Sequence, residues 1–132
     1  MNKARRHVLD ASALLCLIFS EPGADRVEAV MTGAAVSAVN YAEVVSKLVD
    51  RGVPTDEVAA DLADLDVEIV PLDRDLAVMA GRLRARTRSA GLSLGDRCCL
   101  ALAGRLNAPA VTTDRVWESL GDALGIAIVM VR

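Results

Sequence analysis

Four carboxylates stand at places where short apolar runs give way to helical segments. They are Asp10, Glu43, Asp96 and Asp114. Carboxylate oxygens are the ligands that Mg²⁺ and Mn²⁺ prefer, and one or two such ions about 4 Å apart can activate a water and stabilise the charge on a phosphodiester during hydrolysis. Acids of this type could share one binding site if the fold brings the four together.

Each acid also has a plainer interpretation. Asp10, Asp96 and Asp114 can be helix N-caps, because a carboxylate accepts backbone N–H groups and suits the positive end of the helix dipole. Glu43 is harder to explain in this way, since its neighbours are apolar and a buried carboxylate is seldom without a partner. Four such positions together favour one shared site over four coincidences.

A hydroxyl accompanies the last acid. Period two in a strand places Thr112 and Asp114 on the same face, so Thr112 can orient a water or a scissile phosphate. The alternative is that Thr112 is an ordinary β-branched strand residue.

The elements that must position these residues alternate between strand and helix, which is typical of a parallel sheet. Apolar runs predict strands at 7–9, 34–36, 67–70, 110–112 and 126–131. Helical patterns lie at 12–20, 23–31, 38–51, 55–64, 74–89, 95–106 and 115–123. We expect a single α/β domain over residues 1–132, with a central, mainly parallel sheet of about five strands flanked by helices. In such sheets ligands bind outside the carboxyl ends of the strands, where Asp10 and Asp114 would lie.

Composition narrows the classes of function. The 132 residues are 53% hydrophobic, yet Phe19, Tyr41 and Trp117 are the only aromatic side chains, which argues against folds that stack bases on several rings. Three cysteines without a CxxC pair exclude a zinc finger and suit the reducing cytoplasm. The apolar run from Ala13 to Phe19 covers seven residues, against about 20 for a membrane span, so no membrane segment is expected.

Charge is unevenly distributed along a chain whose net charge is −3. Positions 82–115 hold seven arginines and two aspartates, a net charge of +5, whereas positions 50–75 hold nine acids and two arginines, a net charge of −7. A phosphate-containing partner would favour the first segment. Four of its arginines, at positions 82, 84, 86 and 88, step by two and therefore spread around a helix.

The chain resembles the PIN-domain nucleases, and in particular the VapC-type toxins of bacterial toxin–antitoxin pairs. The matching segments are Val8-Leu9-Asp10-Ala11-Ser12-Ala13-Leu14-Leu15, Asn40-Tyr41-Ala42-Glu43, Ser93-Leu94-Gly95-Asp96 and Thr112-Thr113-Asp114-Arg115-Val116-Trp117. Their order, their spacing and the chain length agree with the family, so the resemblance covers nearly the whole chain.

This resemblance implies an endoribonuclease that uses Mg²⁺ or Mn²⁺, with Asp10, Glu43, Asp96 and Asp114 as its metal-binding acids. Ser12 and Thr112 match accessory hydroxyl positions. Two alternatives stay open: a phosphatase or phosphotransfer enzyme with Asp10 as nucleophile, and a non-catalytic interaction module whose acids only cap helices.

The resemblance also implies a cognate antitoxin as partner, and the sequence suggests where it binds. Ala13–Phe19 is apolar on every side of a helix, whereas a helix packed only against its own sheet needs just one apolar stripe. We expect a groove around Leu15, Ile18, Phe19, Val27, Val30 and Met31 for an antitoxin segment, and self-association into a homodimer when the antitoxin is absent.

Overall fold

A five-stranded parallel sheet forms the centre of the molecule. The structure is a computed structural model, and it describes residues 6–132. The strands are β1 (Val8–Leu9), β2 (Ala34–Ser37), β3 (Val67–Val70), β4 (Ala110–Thr112) and β5 (Ile128–Met130), in the spatial order β3-β2-β1-β4-β5. Every strand pair is parallel. The predicted α/β class and the predicted sheet are both confirmed.

Seven α-helices connect the strands, with boundaries close to those predicted. They are α1 (Ala11–Ile18), α2 (Ala24–Met31), α3 (Ala38–Asp50), α4 (Val58–Ala63), α5 (Arg74–Thr87), α6 (Leu94–Leu106) and α7 (Gly121–Leu124). Helix α2 begins after Gly23 because that glycine has φ +101°, and a Cβ there would lie 2.2 Å from the carbonyl oxygen of Val131.

The predicted helix at 115–123 is wrong as a single element. The segment is a 3₁₀ helix over Arg115–Ser119, followed by the single turn of α7. The amide N–H of Leu120 donates to the carbonyl of Trp117, three residues back, at 3.0 Å. This tighter winding accompanies complete burial of the Trp117 side chain.

The helices cover both faces of the sheet. Helices α1 to α4 pack on one face, around a core that includes Leu9 and Val44, while α5 and α6 pack on the other, around a core that includes Val8 and Leu100. Successive strand residues point to opposite faces, so the two fully buried residues of β1 each supply one core. The next residue, Asp10, leaves the strand at its carboxyl end.

Strand β1 is the middle strand, and its position fixes where Asp10 lies. Val8 is in register with Ala35 of β2 and Ala110 of β4, and the amide of Asp10 donates to the carbonyl of Val111 at 3.1 Å. The residue after β1 therefore lies beside the carboxyl end of β4, at the edge where parallel sheets bind ligands.

Two further features of residues 6–132 bear on the sequence analysis: the state of the cysteines and the length of the apolar helices. All three cysteines are free and buried, as expected for small apolar side chains in the core. Over the same stretch, no helix combines the length and the apolar character that crossing a bilayer requires.

Candidate active site at the carboxyl ends of the strands

Asp10 is the most buried of the four predicted acids, with 4% of its surface exposed. As the N-cap of α1, its Oδ1 accepts the amide of Ala13 at 2.8 Å and the hydroxyl of Ser12 at 2.7 Å. Its Oδ2 accepts the hydroxyl of Thr112 at 2.6 Å. The capping and functional interpretations of Asp10 are thus compatible, since the cap uses only part of one oxygen's capacity.

Burial dominates the electrostatics of Asp10. Loss of hydration raises the pKa of this carboxyl from an ordinary 3.8 to about 6, and the nearby charge of Asp96 adds to the rise. The hydrogen bonds from Thr112, Ser12 and the Ala13 amide act in the opposite direction but do not offset burial. Such a carboxylate gains most from a nearby positive charge.

Thr112 joins two of the predicted acids. Its side chain is completely buried. It donates to Asp10, and its Oγ1 accepts the amide of Asp114 at 3.0 Å. The hydroxyl predicted to orient a water or a scissile phosphate is thus bonded to Asp10 and to the backbone of Asp114 in this structure.

Ser12 completes the same network from α1. Its Oγ accepts the amide of Thr113 at 3.0 Å and lies 3.3 Å from the Thr112 hydroxyl. The accessory hydroxyls predicted at positions 12 and 112 thus lie together, next to Asp10.

Glu43 is held by two residues to which the sequence had given no role. The side-chain amide of Asn40, one turn earlier in α3, donates to Glu43 Oε1 at 2.9 Å and to the Gly95 carbonyl at 3.1 Å. A Cβ at Gly95 would lie 2.3 Å from Glu43 Oε1, so the glycine makes room for the carboxylate. The spacing of three between Asn40 and Glu43 was the available signal for this pair.

Asp96 lies in the first turn of α6 and takes part in a capping box. Its carboxylate accepts the amide of Ser93 at 3.0 Å, and its own amide donates to the Ser93 hydroxyl at 3.1 Å. One carboxylate oxygen therefore belongs to the cap, while the negative charge acts on Asp10.

Asp114 caps the 3₁₀ helix, where its Oδ1 accepts the amide of Val116 at 3.0 Å. Its link to the other acids runs through its backbone, because its amide donates to Thr112, which in turn bonds Asp10.

Three of the four acids act electrostatically on one buried thiol, but they do not form a closed ligand cage. The charges of Asp10, Asp96 and Glu43 all act on the buried thiol of Cys99 in α6 and add to the rise in its pKa, whose main cause is burial. Within residues 6–132, however, no three His, Cys, Asp or Glu side chains converge closely enough to hold a metal as they stand.

The residues present nevertheless fit a hard divalent cation. Mg²⁺ usually takes one or two carboxylates and keeps several waters, so a closed cage is not required. Burial raises the pKa of Asp10, and a nearby cation would stabilise its charged form; within residues 6–132, the buried Oδ1 of Asn40, which lies beside Glu43, accepts no hydrogen bond. Oxygen donors of this kind suit Mg²⁺ or Mn²⁺.

The predicted antitoxin groove is partly corrected by the structure. Val27 is completely buried in the core and cannot line a groove, because α2 packs this residue towards α1. Leu15 and Phe19 do line a cavity of about 340 Å³ beside Ser12 and Thr113, together with Lys47 of α3 and Arg51, the residue after α3. Ile18, Val30 and Met31 are half-buried outside it.

Comparison with known proteins identifies the family. The family model for the PIN domain matches residues 7–123. This chain therefore belongs to the PIN domain family. No curated protein sequence matches it.

Solved structures share the whole fold at low sequence identity. A toxin–antitoxin complex from Klebsiella pneumoniae aligns with a TM-score of 0.73 and 19% identity over 96% of this chain and 98% of that chain. A DNA-bound VapBC from Salmonella typhimurium aligns with a TM-score of 0.73 and 17% identity, over 98% of this chain and 100% of that chain. VapC20 of Mycobacterium tuberculosis is described as a sarcin–ricin loop cleaving toxin. It aligns with a TM-score of 0.70 and 19% identity, over 87% of this chain and 95% of that chain. The fold is thus the one found in VapBC toxins.

Proposed function

We propose that this protein is a metal-dependent endoribonuclease and the toxin of a toxin–antitoxin pair. The observation that carries the proposal is Asp10, a carboxylate buried at the carboxyl edge of a PIN-domain sheet, with a raised pKa and a second acid, Asp96, close enough to raise it further. Burial of a carboxyl group costs stability, and a buried group with a strongly shifted pKa is a candidate for a functional site.

The four acids would have different roles in binding the metal. Asp10 and Asp96 would hold Mg²⁺ or Mn²⁺, and Glu43 and Asp114 would complete the site directly or through water. When bound, the ion supplies charge stabilisation and an activated water for phosphodiester hydrolysis. Ser12 and Thr112 keep the carboxylate of Asp10 in one orientation, and Asn40 does the same for Glu43.

RNA as the substrate class rests on the family and on charge. VapC20, which shares the fold, is described as cleaving the sarcin–ricin loop. Arginines concentrate between positions 82 and 115, which favours a polyanionic substrate once a cation has neutralised the acids.

An antitoxin partner, a homodimer and a cytoplasmic location belong to the same proposal. Structures with this fold include toxin–antitoxin and VapBC complexes. The cavity lined by Leu15 and Phe19 lies beside the active-site hydroxyl of Ser12, so a segment bound there would also obstruct the site.

The test is RNA cleavage by purified, antitoxin-free protein. We expect cleavage with Mg²⁺ or Mn²⁺, none with a chelator, and a loss of about 100-fold or more in Asp10→Asn, Glu43→Gln, Asp96→Asn and Asp114→Asn. Asp73→Asn is the matched control, because Asp73 caps α5 as Asp10 caps α1 but lies outside the network.

The same assay separates the alternatives. Wild-type cleavage rates in all four folded variants would exclude the metal mechanism. Hydrolysis of p-nitrophenyl phosphate that depends on Asp10, without RNA cleavage, would indicate a phosphatase. A folded chain that hydrolyses neither substrate but binds an antitoxin would indicate an interaction module.

A further inference from the structure

A second cavity, of about 400 Å³, lies among the helices on the α5–α6 face of the sheet. Its walls come from α5, α6 and the turn between α7 and β5. None of its lining residues belongs to the acid network around Asp10, and it lies on the opposite face of the sheet from the cavity beside Ser12. The cavity is therefore separate from the proposed ribonuclease site.

The floor of this cavity is apolar. Met79 and Leu83 of α5, Leu100 of α6, and Ile126 after α7 contribute most of it. Gly104 borders open space, because a Cβ there would meet only the Cδ1 of Ile126, at 4.0 Å. A larger side chain at position 104 would enter the space.

Arg82 and Arg86 are the charged residues of the wall. Residues 79, 82, 83 and 86 share one side of α5 by helical spacing, so the two guanidinium groups stand next to the apolar floor. No Asp or Glu is among the lining residues, and neither arginine forms an ion pair within residues 6–132. Arg86 donates to the carbonyl of Ala123, which holds its guanidinium in place.

The four arginines that alternate along α5 and just beyond it thus divide into two pairs. Each residue turns the helix by about 100°, so positions 82 and 86 lie on one side and positions 84 and 88 lie roughly opposite. Arg84 and Arg88 are exposed and do not line the cavity. The same segment therefore carries one pair of arginines that lines the cavity and one pair that faces solvent.

We propose that this cavity binds a small amphipathic anion, a carboxylate with an aliphatic chain. The chain lies on the apolar floor, and the carboxylate pairs with Arg82 and Arg86, whose planar guanidinium groups suit a two-oxygen acceptor. The volume of about 400 Å³ suits a small molecule, because pockets for small ligands begin at about 300 Å³. The proposal does not depend on the ribonuclease activity.

Decanoate is the probe. Isothermal titration of the purified wild-type chain is expected to give one saturable site per chain, and neutral 1-decanol is expected to bind about tenfold more weakly or worse, since it lacks the charge-assisted hydrogen bonds. The double variant Arg82→Gln/Arg86→Gln should weaken decanoate by about tenfold or more for the same reason. Gly104→Leu, which fills the floor, should weaken both ligands.

Arg84→Gln/Arg88→Gln is the matched control. It removes the same charge from the same segment and is expected to bind decanoate within about twofold of wild type, because long-range charge effects are largely screened at physiological salt. Circular dichroism confirms that each variant is folded. If Gly104→Leu does not fold, the two arginine pairs still decide the question.

Three results would overturn the proposal: no saturable binding by wild type, equal losses in both arginine double variants, or decanoate and decanol binding equally well. Sedimentation provides a further check. If Arg82→Gln/Arg86→Gln converts a dimer to a monomer, while Arg84→Gln/Arg88→Gln does not, the cavity is filled by a second copy and not by a small anion.

Discussion

Two aspartates with the same capping role show what burial does to a carboxyl group. Asp10 caps α1 and Asp73 caps α5, and each accepts the amide of the residue three positions later. Bonding to the Leu76 amide and to Arg105 lowers the pKa of the exposed Asp73. The pKa of Asp10 rises despite more hydrogen bonds, so loss of hydration is the cause.

This difference predicts opposite effects of neutralisation in metal-free protein. The Asp10 carboxyl has a pKa of about 6 when folded and 3.8 when exposed, so between these values the folded chain holds a proton that the unfolded chain has lost. The contribution of this group to the free energy of unfolding therefore falls by about 3 kcal/mol as the pH rises from about 4 to 6. Above pH 6 this contribution is constant. Asp10→Asn should lack that fall and be more stable than wild type at pH 7.

Urea unfolding of both proteins with chelator, at pH 4, 5, 6 and 7, measures the effect. Asp73→Asn is the control with the opposite sign. Its carboxyl has a lowered pKa in the folded chain, so its stabilisation is present near neutral pH and is lost in acid. Melts in which Asp10→Asn is clearly less stable than wild type at pH 7 would contradict the burial argument.

The variant Gly95→Ala tests whether the position of Glu43 affects RNA cleavage without affecting the stability of the fold. A Cβ at residue 95 would collide with the end of the flexible Glu43 side chain and not with backbone, so Gly95→Ala should fold, with Glu43 displaced. Alanine is favoured over glycine within a helix by about 0.5–1 kcal/mol, which offsets the crowding. We expect near-wild-type stability and RNA cleavage reduced by about tenfold or more.

Gly81→Ala is the matched control, because Gly81 lies within α5 and a Cβ there has open space. It should gain about 0.5–1 kcal/mol in stability and leave cleavage unchanged. If Gly95→Ala cleaves RNA at the wild-type rate, the position of Glu43 is not important for the reaction.

At the scale of elements, local signals were sufficient to predict most of the fold. Strand β3 was predicted over the residues it occupies, because a short β-branched run ends at Pro71. The prediction of one helix over 115–123 was wrong because 3₁₀ helices and α-helices share the same apolar spacing at short range. The prediction that Val27 lines the groove was wrong because the spacing of an apolar residue does not reveal which neighbouring element will cover it.

The sequence did not reveal the contacts that support the candidate acids. Asp10, Ser12 and Thr112 do lie together, since carboxyl ends of adjacent parallel strands meet at one edge. The contact of Asn40 with Gly95 joins α3 to α6 across 55 positions of sequence. Side-chain contacts at that separation depend on how the two helices pack, which no local pattern reports.

At the scale of the whole molecule, the sheet separates two binding surfaces. The cavity beside Ser12 lies between α1 and α3, where the guanidinium of Arg51 stacks on Phe19 at 4.3 Å from the ring centre. The arginine-lined cavity lies on the other face. A partner on the first surface obstructs the proposed active site, whereas a ligand on the second does not contact it.

The first surface predicts where an antitoxin binds. In a co-expressed complex, hydrogen exchange should show added protection within residues 12–31, because α1 supplies Leu15 and Phe19 to this cavity. Phe19→Ala should weaken the complex by about tenfold or more, through loss of buried aromatic contact. Val78→Ala, on the exposed face of α5, is the control. No added protection anywhere in residues 12–31 would place the antitoxin elsewhere.

The order of the strands also has a consequence for synthesis of the protein. Strand β1 leaves the ribosome well before one of its two neighbours, β4, which begins at Ala110, and the Thr112 hydroxyl that bonds Asp10 follows 102 positions after that residue. Pairings this distant in sequence form late, because loop closure must precede them. Asp10 therefore lacks the surroundings that bury it until β4 has been translated and has paired with β1. The proposed active site can form only after that point in synthesis.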